Sequence, residues 1–208
     1  MKIGQSDRWW NLEVPIVKIS IVVGAAFAAL AVWLVYGDLI GDIAWGISHQ
    51  HNATFRGLTL RVPWRWREEP WTNYNEFEVS RSNGGLAWRA SATVYYQNLA
   101  PIEAAKIAQL ERNLAAESER KVNALIARGA KTISPQPQSG SHHDVHGDDL
   151  IEAHYECVNH GLNWSPILTD TCFSRDGRWR VEIIGYEQNR SDLGMILRGV
   201  ASMGTPSK

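Results

Sequence analysis

The sequence predicts an α+β protein in which one N-terminal transmembrane helix precedes an antiparallel β-sheet domain, with a long helix and a C-terminal helix packed on the sheet. An uncharged apolar run from Ile19 to Tyr36 predicts the transmembrane helix. Short segments of alternating apolar and polar residues, separated by turn residues, predict the strands. Two further segments with apolar residues at helical spacing predict the packed helices, and strands grouped around one long helix indicate the α+β class.

The apolar run is long enough to cross a bilayer. Its eighteen residues span about 27 Å as an α-helix, close to the ~30 Å thickness of the hydrocarbon core. A buried core helix would show a polar stripe, which this run lacks. A cleaved signal peptide would be shorter and followed by a small-x-small site, which the residues after Tyr36 match poorly, although Gly37 leaves cleavage open. We therefore predict an uncleaved anchor at residues 16–36, with cleavage and a core helix as alternatives.

Cationic residues predict the orientation of this anchor. Three of them precede the uncharged run from Ile19 to Tyr36, and they are Lys2, Arg8 and Lys18. No Lys or Arg follows it until Arg56, so the positive-inside rule keeps the head in the cytoplasm and exports the rest. The prediction is a single-pass protein of the cytoplasmic membrane with three parts outside the anchor: a cytoplasmic head (1–15), a juxtamembrane linker (37–53) and an exported domain (54–208).

One face of the anchor carries small residues at four-residue spacing, namely Ser20, Gly24 and Ala28. Such a face lets a second transmembrane helix approach closely. The alternative is an alanine-rich anchor that contacts only lipid. The expected partners are thus the bilayer and other membrane-protein subunits.

The overall charge bears on one class of partner. A net charge of −1 at pH 7 gives no reason to expect nucleic acid. The sequence also carries no motif for a cofactor or a small-molecule substrate, so neither is predicted.

The first three predicted strands follow one another along the chain. Leu58 to Val62 alternate and stop at Pro63, and Phe77 and Val79 mark the second strand. Asn83-Gly84 is a strong hairpin signal before a third strand that runs from residue 86 to residue 94. Together they predict a three-stranded meander.

A long helix follows, from Pro101 to Gly129. Its predicted buried face consists of Ile102, Ala105, Leu110, Leu114, Val122 and Leu125. A short strand at 131–134 and a polar loop at 135–147 come next.

The two cysteines predict a second hairpin. The midpoint between Cys157 and Cys172 falls within a turn-like stretch, so a hairpin folded there places the two sulfurs opposite each other. In an exported domain they would form a disulfide that stabilises by roughly 3 kcal/mol. In a cytosolic domain they would be two buried thiols.

Alternation extends this hairpin on both sides. Residues 151–157 are predicted as strand, with Ile151, Ala153, Tyr155 and Cys157 on one face and Glu152, His154 and Glu156 on the other. A second turn at Asp176-Gly177 sets Cys172 opposite Val181, with Trp179, Val181 and Ile183 facing the core.

The last predicted element is a helix over residues 189–203. Ser191 or Asp192 is its predicted cap. Its apolar residues are Leu193, Ile196, Leu197 and Val200.

The order of elements, the opening Leu58-Thr-Leu-Arg-Val-Pro63-Trp-Arg-Trp66, the Asn83-Gly84 turn and the closing helix resemble the PsbP-like fold over residues 54–203. This resemblance implies an accessory or assembly factor without a known reaction. It transfers no metal ligand to a residue of this chain.

The densest group of metal-capable side chains is His142, His143 and His146. Imidazoles with neighbouring carboxylates suit zinc, copper or nickel, so an exported metal-binding domain is an alternative function. The flanking Pro, Gln and Ser residues favour a solvated connector instead. His49 and His51 form a second, weaker pair on the predicted linker.

No catalytic motif is present, and we predict that the protein is not an enzyme. The Glu152, His154 and Glu156 face is what any half-exposed strand would show. An envelope hydrolase stays an alternative if a histidine lies beside a nucleophile in a deep pocket.

The most unusual soluble segment is Trp64, Arg65, Trp66 and Arg67. Both residue types are enriched at binding hot spots, which predicts a partner surface. Contact with lipid headgroups and filling of the core by a tryptophan are the alternatives.

Overall fold

The computed structural model describes residues 10–70, 75–83, 89–127, 148–160 and 167–204. Within these ranges the helices are α1 (Trp10–Ser48), α2 (Pro101–Ala127), α3 (Asp149–His154) and α4 (Arg190–Ser202), with a 3₁₀ turn at Glu187–Asn189 before α4. The strands are β1 (Asn52–Phe55), β2 (Leu58–Arg61), β3 (Arg67–Glu68), β4 (Glu76–Arg81), β5 (Ala90–Tyr96), β6 (Tyr155–Asn159), β7 (Ile167–Ser174) and β8 (Trp179–Tyr186). The predicted α+β class is confirmed.

Six strands form one antiparallel sheet in the order β3-β4-β5-β8-β7-β6. In the described part of the chain, β1 and β2 pair with each other and form a separate sheet, so the first strand of the predicted meander does not join the other two, which pair as β4 and β5. The reason is a tight turn after Phe55, where Arg56 and Gly57 both have positive φ angles, of 48° and 80°. That backbone closes a two-residue hairpin and pairs Leu58 with Phe55.

The cysteine hairpin has the predicted register. Cys157 pairs with Cys172 across β6 and β7, and the two residues form a disulfide. Cys172 also pairs with Val181 of β8, as the Asp176-Gly177 turn predicted. Because both registers are confirmed, Trp179, Val181 and Ile183 point into the core, where each is at most 1% exposed.

The core lies between one face of the large sheet, helix α4 and the β1–β2 hairpin. Four residues of α4 are fully buried in it, namely Leu193, Ile196, Leu197 and Val200. Gly199 of α4 meets the hairpin closely, since a Cβ added there would lie 2.5 Å from Cδ1 of Leu60. Helix α4 therefore matches its predicted range and its predicted buried face.

The strand predicted over residues 151–157 is wrong at its start. Residues 149–154 form helix α3, whose first turn is capped by Asp148 accepting a hydrogen bond from the Leu150 N–H at 3.0 Å. Ile151 and Tyr155 are both buried. They are four residues apart, a spacing that suits one face of a helix as well as one face of a strand. Glu152 and His154 consequently do not share a strand face with Glu156.

Helix α2 packs through a different face from the predicted one. It lies on β6 and β7, and its buried residues are Ala104 and Ala108. Small side chains there bring the helix close to the strands. Four residues of the predicted buried face are instead more than half exposed: Ile102, Leu110, Leu114 and Leu125.

Helix α1 continues well beyond the predicted anchor. Every side chain from Ile19 to Tyr36 is exposed. The segment 37–53, predicted as a linker, is helical as far as Ser48, and its burial begins at Gly37. The part of α1 from Ile19 to Ser48 is long and apolar enough to cross a membrane by length and composition.

Candidate functional site at the helix junction

The site is the contact between the C-terminal part of α1 and the β3–β4 end of the sheet. Asp42 lies on α1, six residues after Tyr36, and its side chain is fully buried. Two glycines let neighbouring side chains approach the helix. A Cβ at Gly41 would lie 3.0 Å from an Nη1 atom of Arg67, and a Cβ at Gly46 would lie 2.6 Å from Cε1 of His51. The local sequence thus leaves room for the domain to dock on this helix.

Three donors surround the Asp42 carboxylate. The backbone N–H of Ser82 donates to Oδ2 at 2.7 Å. Arg67 Nε and Arg89 Nη2 each lie 3.3 Å from Oδ1. A buried carboxylate requires such partners because its water shell has been removed. Asp42 therefore joins α1 to the start of β3 and to both ends of the β4–β5 connection.

Glu69 contacts the same two arginines as Asp42. Its Oε1 lies 3.1 Å from Arg89 and 3.6 Å from Arg67, and it accepts a hydrogen bond from Ser80 Oγ. Asp38, one turn before Asp42 on α1, lies 3.5 Å from Arg89. Three carboxylates and two guanidinium groups thus form one network, which we call the junction cluster: Asp38, Asp42, Arg67, Glu69 and Arg89.

Burial governs the electrostatics of Asp42. Its carboxyl lies beyond the predicted anchor 16–36, against the sheet. Burial raises the pKa of Asp42 above its usual range, and the Ser82 N–H and the two guanidinium groups oppose that shift. The two guanidinium groups and the N–H that face the carboxylate each favour its ionised form.

A second network lies on the core side of β4, around Asp192 of α4. The indole Nε1 of Trp66, fully buried, donates to Asp192 Oδ2 at 2.9 Å. Arg81 donates to the same oxygen at 2.5 Å. Asp192 therefore joins β4 to α4 and is not the predicted cap of that helix, for which Asn189 occupies the N-cap position.

The four residues predicted as a partner surface do not share one surface. Trp66 lies in the core and Arg67 belongs to the junction cluster. Arg65 has a φ angle of 68° and donates to the Ser82 carbonyl at 3.1 Å. Only Trp64 is largely exposed, at 55%, and its ring lies 5.1 Å from that of His51. For Trp66, the core-filling alternative describes its position.

The predicted helix-packing residues lie on the exposed part of α1. Ser20, Gly24 and Ala28 are all exposed, and a Cβ added at Gly24 meets nothing within 4 Å. At 100° per residue these positions share the side of α1 that carries Asp42. A helix packed there would lie on the same side of α1 as the domain.

The predicted metal ligands His142, His143 and His146 lie outside the described residues. His49 and His51 do not converge, because His49 stacks on Trp45 at 4.7 Å whereas His51 lies against Trp64. Within the described ranges no group of three or more His, Cys, Asp and Glu side chains is placed to hold a metal ion.

The hydrolase alternative requires a histidine beside a nucleophile in a deep pocket, and His154 is the candidate. It borders a cleft of about 150 Å³ together with Ser174 and Asp176, and sites for small molecules are usually about 300–1,000 Å³. Ser174 Oγ donates to Asp176 at 2.7 Å and accepts the Trp179 N–H at 2.8 Å. The serine proton is thus directed to a carboxylate and not to a histidine base. This arrangement stabilises a turn and lacks the geometry of an activated nucleophile.

Sequence reasoning missed most of the junction cluster. Asp42 falls in the predicted linker 37–53, and the sequence predicts no pairing for Glu69, Ser82, Arg89 or Asp192. One signal was available: Asp38 and Asp42 are four residues apart, directly after the apolar run, so they fall on one helix face. Their partners are 25 to 51 positions further along the chain, a distance that no local pattern reports.

No protein-family model, curated protein or solved structure matches this chain.

Proposed function

We propose that this chain is a single-pass membrane-anchored, non-catalytic accessory protein whose exported α+β domain acts as a subunit or assembly factor of a membrane complex. The observation that carries the proposal is the junction cluster. A helix with every side chain exposed from Ile19 to Tyr36 is joined to the sheet through a buried carboxylate only six residues later. Such a joint fixes the position of a domain relative to its anchor.

The length of the helix supports anchoring. Residues 19–37 carry no charge and span about 28 Å, which matches the hydrocarbon core. Asp42 follows Tyr36 by about 9 Å along the helix axis. The sheet would therefore lie at the headgroup layer, on the exported side given by the cationic head. This placement suits a domain that contacts the extramembrane parts of neighbouring subunits.

The disulfide supports export, because disulfides persist in oxidising compartments and are rare in the cytosol. The PsbP-like resemblance points to the same kind of role, since it implies accessory factors. The small-residue face at Ser20, Gly24 and Ala28 supplies the surface on which we place a partner helix.

Labelling in intact cells tests the topology. A cysteine introduced near Lys208 should react with a membrane-impermeant maleimide in intact cells when the domain is exported. Reaction only after lysis would place the domain in the cytoplasm and would refute the proposed orientation. A cysteine introduced near Lys2 is the matched control, because it should react only after lysis.

Co-purification in mild detergent tests the accessory role. The full chain should retain defined membrane proteins, and Gly24→Leu together with Ala28→Leu should release them by blocking the small-residue face. Ala26→Leu, on the opposite side of the same helix, should leave them bound. A chain that purifies without any partner, or equal retention by all variants, would contradict the proposal.

A further inference from the structure

Helix α2 has a covered side and an uncovered side. Ala104 and Ala108 face the sheet, and Arg112 forms an ion pair with Glu156 of β6. On the outer side, Leu110 and Leu114 are each 62% exposed. These two large apolar side chains lie one turn apart and form a small exposed apolar patch on the helix.

These leucines belong to a line of six exposed residues, which we call the outer stripe: Glu103, Lys106, Leu110, Leu114, Glu117 and Lys121. Successive members are three or four residues apart, so all six lie within a narrow band along the helix. From the N-terminal to the C-terminal end of the band, the residue types are acid, base, leucine, leucine, acid and base.

The order of residue types along the outer stripe is complementary to the same order reversed, because acids then align with bases and leucines with leucines. When a second α2 lies antiparallel about a two-fold axis at residue 112, Glu103 falls opposite Lys121 of the second copy and Leu110 falls opposite Leu114. Lys106 falls opposite residue 118, one position from Glu117. Glu103 therefore faces Lys121 directly, Lys106 lies one position from the residue facing Glu117, and the four leucines meet at the centre. A parallel pairing in register would set like charges against each other.

We propose that the outer stripe is an interface between two copies of this chain, with their α2 helices packed antiparallel. Glu117 and Lys121 already pair within one helix at 2.7 Å, and Glu103 accepts the Ala100 N–H at 3.2 Å. Their charges gain further neighbours in the dimer and lose none of these bonds. The helices cross at the shallow angle of coiled-coil packing.

The interface is small, so its affinity in dilute solution is low. Confinement of both copies to one membrane raises their effective concentration and compensates for the small contact area. The contact uses α2 alone, but its strength rests on the membrane anchoring proposed above.

Energy transfer between labelled copies tests the dimer. Full-length chains carrying donor or acceptor at the C-terminus are placed in phosphatidylcholine vesicles, and transfer is measured as lipid is added. The wild type should dimerise at a defined surface density. Leu110→Gln with Leu114→Gln should weaken dimerisation by at least about 100-fold, because it removes four leucine side chains from the contact.

The matched control is Ile102→Gln, which replaces an equally exposed apolar residue of α2 that lies outside the outer stripe. It should dimerise like the wild type. Both variants should keep the wild-type circular dichroism spectrum, since none of the replaced side chains is buried. Equal dimerisation by the double leucine variant, or a wild type that stays monomeric at every density, overturns the proposal.

A charge reversal tests the antiparallel register. Lys106→Glu should weaken the dimer, because it sets two acids against each other, and adding Glu117→Lys in the same chain should restore it. A double variant no stronger than the single one would overturn the antiparallel arrangement.

Discussion

The carboxylate of Asp42 on the apolar helix accepts the backbone N–H of Ser82 at 2.7 Å, from a residue 40 positions further along the chain. Ser82 directly follows β4, and by strand alternation its N–H points to the β3 side of β4, the side on which the Glu78 carbonyl accepts the Glu69 N–H at 2.9 Å. β4 and β5 pair as far as Arg81 and Ala90, and the bond to Asp42 holds the residue that follows β4 against α1. Strands β4 and β5 are antiparallel neighbours, as the Asn83-Gly84 hairpin signal predicts, and residues 84–88 lie outside the described residues.

Removing the Asp42 carboxylate should detach the helix from the sheet. We expect Asp42→Ala to lower the free energy of unfolding by about 3 kcal/mol, because it leaves Arg67, Arg89 and the Ser82 N–H without their shared acceptor. Denaturation in detergent, followed by tryptophan fluorescence, measures this. Asp38→Ala is the control, since the Asp38 side chain is 64% exposed and should contribute at most ~1 kcal/mol. Equal effects of both substitutions would contradict the role of burial.

Close packing at Gly46 predicts a steric effect. Gly46→Ala places a methyl group 2.6 Å from His51, which forces the ring to move and should cost about 1–3 kcal/mol. The same change at Gly24 meets nothing within 4 Å and should not destabilise, because alanine favours the helix. Thermal unfolding of the two variants distinguishes them, and a Gly46→Ala variant as stable as wild type would show that His51 moves away freely.

The disulfide predicts a response to reductant. Its closed loop spans 15 residues, so breaking it should lower stability by roughly 3 kcal/mol. The midpoint of urea unfolding should fall when reductant is added to the wild type. The midpoint should not shift in the double variant Cys157→Ala, Cys172→Ala, because that variant already unfolds at the lower urea concentration without reductant. A wild type indifferent to reductant, with two reactive thiols, would contradict the pairing.

Asp176 predicts acid sensitivity of the β7–β8 turn. Partial burial alone would raise its pKa, but hydrogen bonds from the Arg178 N–H, the Ser174 hydroxyl and the Arg178 guanidinium together hold the pKa below its usual range. Since the fold favours the ionised form, this stabilisation is complete above the unfolded pKa of about 3.9 and is lost as pH falls through the folded value. The free energy of unfolding should therefore fall more steeply below about pH 4 in the wild type than in Asp176→Asn. Equal slopes in urea titrations across this range would contradict it.

The cysteine region shows what local patterns can predict. Turn residues and alternation gave two registers that share Cys172, and both are confirmed. Each register follows from a short connection, because the length of a turn fixes which residues face each other. Helix α4 was predictable for a similar reason, since its apolar spacing is complete within thirteen residues.

Helix α2 shows a limit of prediction from local patterns, because the wrong face was predicted to be buried. Its leucines suggested a buried face, yet the sheet meets the alanines at 104 and 108. The choice between two apolar faces of one helix depends on the shape of the strands below it, to which small side chains allow a closer approach. That shape is a property of the assembled sheet and not of the helix sequence.

The sequence by itself determined the apolar helix, the pairing of the cysteines, the last two strands and the closing helix, because each depends on residues close together in the chain. Only the tertiary structure decided that Trp66 is buried, that the segment after the apolar run is helical to Ser48, and that Asp42 joins helix to sheet. The physical reason is that a buried carboxylate must find its donors in space, and those donors come from segments whose proximity exists only once the sheet has formed.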